Sequence, residues 1–127
     1  MNIQTHEKID IELCGAPREV GENFSRVELR ATERMSVDAS GLTHGGFIFG
    51  LADHAAMIAV NHPNVVLGAA GVKFLKPVQT GDTVVAEARV DPGEGRKKNV
   101  RVTVHLGETL VFEGSFTCFL LDRHVLG

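Results

Sequence analysis

Asp53 is the only formally charged residue between Leu42 and Asn61, a stretch otherwise dominated by Phe, Ile, Leu, Ala, Met, Val and Gly. No Lys or Arg lies between Arg34 and Lys73 to neutralise it locally. Burying a carboxylate costs free energy or raises its pKa unless it finds partners or water. Such a group is therefore either satisfied by backbone amides or a subunit partner, or placed beside a substrate. There it serves as general base or nucleophile, where a raised pKa is useful. Nine residues upstream stands His44-Gly45-Gly46. If a helix begins there, its first N–H groups lack internal partners and carry partial positive charge. Glycine at that point either allows a tight turn or lets a ligand approach the backbone closely. The second use suits a developing oxyanion. Together the two features put an anion-stabilising site and a carboxylate on one short helix.

That helix is expected over about 46–61, apolar nearly all round and hence buried rather than lying on a surface. Asn61-His62-Pro63-Asn64 ends it, because the residue before a proline is disfavoured in the helical region. Upstream, Val27, Leu29 and Ala31 alternate with Arg26, Glu28 and Arg30, the period of a strand with one wet face. Residues 1–23 suggest a short helix or turn and a first strand, and residues 36–44 a loop. Downstream, strands are expected over Val65–Phe74, from the Gly81-Asp82 turn to Val90, over about Val100–Leu106, and over about Thr109–Leu121. Phe112, Phe116, Phe119 and Leu120 read as core and interface. One buried helix among antiparallel strands gives an α+β architecture in which a sheet wraps a helix.

The chain has 127 residues, the size of a single domain spanning 1–127. A net charge of -3 argues against nucleic-acid binding, which favours a basic surface. The first 14 residues hold no signal-peptide core, and 47–60 is too short and too polar at Asp53 and His54 to span a membrane. Cys14 and Cys118 lack CxxC spacing and read as reduced thiols, so a cytoplasmic location is expected. His44, His54 and His62 match no metal-ligand spacing, and no metal is expected.

The segment His44-Gly45-Gly46-Phe47-Ile48-Phe49-Gly50-Leu51-Ala52-Asp53 resembles the HGG-x4-LAD motif of the phenylacetate-pathway (PaaI-like) hotdog thioesterases. Phe74-Leu75-Lys76-Pro77 with Gly81-Asp82 is similar to the strand and turn that follow in that group, and the likeness runs from about residue 24 to 121. The resemblance implies a hotdog fold and hydrolysis of acyl-CoA to free acid and CoA. It also implies no cofactor beyond the CoA of the substrate, and a homodimer, with a dimer of dimers beyond it, that binds acyl-CoA between subunits. Asp53 would activate water or attack the carbonyl, the Gly45 N–H would meet the carbonyl oxygen, and His44 would orient the thioester or hold the loop. Gly46, Asp38, His54, Lys73 and Phe74 fall among the residues expected to line the substrate site. The basic cluster Arg96-Lys97-Lys98 at a turn reads either as a solvated hairpin end or as a contact for the CoA phosphates.

Two positions depart from the family pattern. Asp38 stands where Asn is frequent, six residues before the histidine, and Leu67-Gly68-Ala69-Ala70-Gly71 offers no hydroxyl where many members have Ser or Thr. Two alternatives therefore stay open. One is a non-catalytic acyl-CoA-binding module or sensor using the same pocket. The other is a hydratase or dehydratase of the same fold, pairing His44 or His54 with Asp53.

Overall fold

A computed structural model describes all 127 residues. A short helix α1 (Ile11–Cys14) is capped by the Asp10 carboxylate, which accepts from the N–H groups of Glu12 and Leu13. Strands β1 (Ala16–Gly21) and β2 (Phe24–Arg30) follow, then a single 3-10 turn, Glu33–Met35. The long helix α2 (Gly45–Val60) leads into β3 (Val65–Phe74), β4 (Thr83–Val90), β5 (Lys97–Leu106) and β6 (Thr109–Leu120). All six strands form one antiparallel sheet in the order β1-β2-β4-β5-β6-β3. The sheet wraps α2, which touches every strand. This is the α+β hotdog fold, with the helix where the sequence places it.

The alternation in the strands explains why the sheet closes on the helix. Val27 and Leu29 of β2, Val84, Ala86 and Ala88 of β4, and Val100, Val102 and Val104 of β5 all point inward and are fully buried. Opposite them α2 presents Leu51, Ala55, Ala56, Ile58 and Ala59. Its alanines keep the helix close to the sheet, and the larger Phe112 and Phe116 of β6 fill the remaining volume. Ser25 is the polar exception on β2: its buried hydroxyl donates to the Ala55 carbonyl at 2.6 Å.

Several boundaries differ from expectation. Helix α2 starts at Gly45 and stops at Val60, because Asn61 takes the left-handed conformation (φ 54°) and its N–H closes onto Met57. Residues 36–44 are pinned rather than free, with β-bridges Ser36–Thr43 and Leu42–Gln79. Lys97 and Lys98 lie in β5, so only Arg96 of the basic cluster belongs to the turn. Of the residues read as core and interface, Phe112 and Phe116 are in the core and Phe119 is 37% exposed. The outer edge of β3 is unpaired, and residues 68–71 along it are exposed small residues.

Candidate active site

The start of α2 is built by His44. Its backbone is extended (φ -60°, ψ 129°), its N–H donates to the Met35 carbonyl at 2.8 Å, and its carbonyl accepts from the Phe47 N–H at 3.1 Å. The imidazole turns back and Nδ1 accepts from the Gly46 N–H at 3.0 Å. A ring nitrogen acting as acceptor is unprotonated, so this cap requires neutral His44 with its proton on Nε2. The cap satisfies Gly46 and leaves the Gly45 N–H as the donor without a partner at the helix start. A side chain at Gly45 would place its Cβ 3.2 Å from Cε1 of Phe74, so the absence of one is what lets that ring close over the helix end. Gly45 and Phe74 line one cleft of about 280 Å3 together with Thr43, Ile48, Lys76 and Val111. Thr43 is part of its wall, and the Thr43 hydroxyl is out of solvent without a hydrogen-bond partner.

Asp53 lies two turns further along α2. The side chain is half-buried, and its Oδ1 is out of solvent with no hydrogen-bond partner. Burial pushes its carboxyl above the ordinary value of 3.8, and positive charge on His6 draws it partly back. The same burial acts on the cysteines that feel the Asp53 charge. Cys14 is raised, and the thiol of Cys118, wholly inside the sheet, is pushed up to about 12. Both cysteines are free.

Residue by residue, the structure unites some of the expected site and separates the rest. His44, Gly45, Gly46 and Phe74 meet at the helix start. Lys73, one position from Phe74, projects from the other face of β3, while Lys76 lines the cleft. His54 turns inward, 2% exposed, and its Nδ1 pairs with the Cys14 carbonyl at 3.2 Å. Burial lowers its pKa, and it stacks on His6 with ring centres 6.5 Å apart. Asp38 accepts from the N–H and hydroxyl of Ser40 at 3.0 and 2.6 Å. Those bonds hold its carboxyl below the usual range and fold the loop. Arg96 forms an ion pair with Asp122 and donates to the Leu120 carbonyl at 3.1 Å, while Lys98 donates to the Gly93 carbonyl at 3.0 Å.

Within one chain the basic cluster is remote from the helix start. Phe74 pairs with Phe112 at one end of β6, and Lys97 pairs with Phe119 at the other. Seven residues of strand separate those ends by about 24 Å. Gly45 and Asp53 are eight residues apart on α2, about 12 Å along its axis. Sequence reasoning missed Thr43 and His6. The first is an ordinary loop threonine whose unpaired hydroxyl only packing reveals. The second sits in an N-terminal segment tied to the end of α2 by Gln4 N–H to Asn61 Oδ1 (2.7 Å) and Asn61 Nδ2 to the Asn2 carbonyl (2.7 Å). No helix is long and apolar enough to cross a membrane, and no group of three or more His, Cys, Asp and Glu side chains is placed to hold a metal ion.

The chain is similar to several known proteins. Residues 40–113, from the loop before α2 into β6, match the thioesterase superfamily. The chain is 54% identical over 123 residues to methylthioribose-1-phosphate isomerase of Aquifex aeolicus, which covers 96% of this chain and 27% of that protein. It is 32% identical over 95 residues to the transcription factor FapR of Caldanaerobacter subterraneus, covering 75% of this chain and 48% of that protein. The chain thus spans less than half the length of these curated relatives. Among solved structures, an uncharacterized protein of Pyrococcus horikoshii superposes with a TM-score of 0.98 at 48% identity, covering 100% of this chain and 98% of that one. A mutant of the phenylacetic acid degradation protein PaaI of Thermus thermophilus gives a TM-score of 0.79 at 26% identity, over 87% and 97% of the two chains.

Proposed function

We propose, from the premise that this chain belongs to the thioesterase superfamily, that it hydrolyses the thioester of an acyl-CoA. Asp53 acts as the base. It takes a proton from water as the water oxygen adds to the carbonyl carbon, and the Gly45 N–H stabilises the oxyanion. Collapse of that intermediate breaks the C–S bond, the proton held by Asp53 passes to the departing sulfur, and free acid and CoA are released. The alternative step, direct attack by the carboxylate, uses the same two groups. His44 serves by fixing the helix start, since its cap on Gly46 leaves the Gly45 donor open.

The observation that carries this reading is a pair of unmet polar groups on one helix. One is the buried, unpartnered Oδ1 of Asp53 and the other the open N–H of Gly45. An uncompensated buried group costs about 1–3 kcal/mol, more if charged, and such cost is typical where a ligand completes the bonding. Because the two lie about 12 Å apart along α2, one carbonyl cannot reach both within a chain. The reading therefore places Gly45 of one subunit against Asp53 of another, in a homodimer joined along the free β3 edges. Antiparallel pairing of those edges would also bring the Arg96–Lys98 end of one sheet beside the Phe74 end of its neighbour. CoA phosphates could then reach the cluster, where Arg96 is ion-paired, Lys98 is tied to a backbone carbonyl and Lys97 has neither contact.

A second reading is favoured by one specific observation, the match to FapR, a transcription factor. On that reading the same pocket binds acyl-CoA without turnover. The isomerase activity named for the Aquifex relative is that of a protein of which this chain matches 27%. Thiol release over a panel of short, long, aryl and hydroxylated acyl-CoAs, wild type beside Asp53→Asn, separates the readings. Hydrolysis by wild type and a loss of at least about a hundredfold in the variant is the expected result. Binding of the esters with no thiol released by either protein would favour the sensor.

A further inference from the structure

Thr43 is the one buried polar side chain lining the cleft at the start of α2, and the fold leaves its bonding unfinished. It is 6% exposed, and its Oγ1 has no hydrogen-bond partner. The loop does not need that hydroxyl. Thr43 is already held by its backbone, through its N–H to the Val78 carbonyl at 2.8 Å and its bridge to Ser36. Around it the cleft is apolar, with Ile48, Phe74, Val78 and Val111 among its walls. A few polar groups among apolar walls, here the Thr43 hydroxyl with Lys76 and the Gly45 backbone, are the arrangement that fixes the orientation of a bound molecule. Only His44 separates Thr43 from Gly45, so their Cα atoms are within about 7 Å. Whatever bonds the hydroxyl is therefore close to whatever sits at the open Gly45 N–H.

We propose that Thr43 is a substrate-positioning residue, whose hydroxyl hydrogen-bonds a polar group of the ester lying just beyond the carbonyl held at Gly45. This rests on the acyl-CoA reading given above and deepens it. Two parts of such an ester offer the required chemistry at that remove. One is an oxygen substituent on the acyl chain at the β or γ position, and the other is the nearest amide of the pantetheine arm. In either case the hydroxyl is satisfied only when substrate is bound, so its bond stabilises the complex and not the free protein.

That asymmetry supplies the test. Thr43→Val keeps the shape and removes the hydroxyl, and Thr43→Ser keeps the hydroxyl. Both are compared with wild type by thermal unfolding, by the rise in Tm on adding acyl-CoA, and by kcat/KM on matched esters with and without a β-oxygen. Thr43→Val is expected to be at least as stable as wild type, because an unpaired buried hydroxyl has been replaced by a methyl. Its kcat/KM is expected to fall about tenfold and its ligand-induced rise in Tm to shrink, while Thr43→Ser retains most of both. A fall confined to the oxygenated esters assigns the partner to the acyl chain, and an equal fall on all esters assigns it to the pantetheine amide. Unchanged kcat/KM and unchanged ligand-induced stabilisation in Thr43→Val overturn the proposal, as does a clear loss of stability without ligand, which would make the hydroxyl structural. Wild type that turns over esters while Thr43→Val matches it defeats this inference alone. Wild type that neither binds nor cleaves any acyl-CoA defeats the functional reading with it.

Discussion

Asp53 keeps one carboxylate oxygen away from water with nothing donating to it, and burial disfavours its charged form. The folded protein raises its pKa, so between the ordinary value of 3.8 and the higher folded value the native state holds more protons than the unfolded chain. Stability contributed by this group is then present at low pH and lost as pH rises through that window. Asp53→Asn is accordingly expected to raise Tm at neutral pH, with the advantage over wild type shrinking as pH falls toward 3.8. Chemical or thermal denaturation across pH checks this. A neutral-pH Tm below wild type would mean that the carboxylate has found a partner. The same shift bears on turnover, since a base must be ionised. The acid limb of kcat/KM is expected to report an apparent pKa above 3.8 and to belong to Asp53. His54, one residue on, contributes with opposite sign. Its lowered pKa keeps it neutral in the interior, and the stability it supports is lost as pH falls below 6.5.

Among the elements, α2 and β3 through β6 were legible because their patterns are long and unmixed. Sixteen residues with one formal charge can only be a buried helix, and β4 and β5 alternate cleanly between valine or alanine and polar side chains. Strand β2 was legible from its alternation as well, whereas residues 1–23 were harder to read. Helix α1 has four residues and β1 has no inward stripe, its Arg18 and Glu19 being paired on the outer surface with Glu28 and Arg26. At the site, the carboxylate and glycine were visible from residue type alone. The His44 cap on Gly46 and the Asp122 partner of Arg96 were not, because each depends on a rotamer or on strands distant in sequence. The glycines of the sheet show what spacing hides. Gly114 of β6 faces Val72 and Val102 in its neighbours, and a Cβ there would lie 2.7 Å from Val72 Cγ1 and 3.0 Å from the Gly71 carbonyl. Gly114→Ala is expected to cost about 1–3 kcal/mol by forcing β3 away from β6. Urea denaturation measures it, and an unchanged midpoint would show that the strands yield freely.

For the molecule as a whole, the fold leaves the β3 edge unpaired, and on the proposed reading a single chain also leaves the site incomplete. An exposed edge of small residues is a template for another strand. The distances of about 12 Å from Gly45 to Asp53 and about 24 Å from the Phe74 end to the Lys97 end are ones that a second copy, turned about a twofold axis, would close. Proline at Gly45 removes the N–H, and its Cβ also presses on the Phe74 ring 3.2 Å away. Proline is well tolerated at the first helical position, and His44 already has the extended backbone that a following proline requires. Gly45→Pro therefore removes the donor while keeping the helix, and is expected to lower kcat by about 10²–10³. The decisive measurement is thiol release from an acyl-CoA by subunits of Gly45→Pro and Asp53→Asn that have been unfolded together and refolded as a mixture. If each site takes Gly45 from one subunit and Asp53 from its partner, half of the dimers are mixed and each carries one intact site. Activity should then return to about one quarter of wild type, although neither variant alone is active. A mixture as inactive as its parents, with mixed dimers shown to be present, would contradict the shared site.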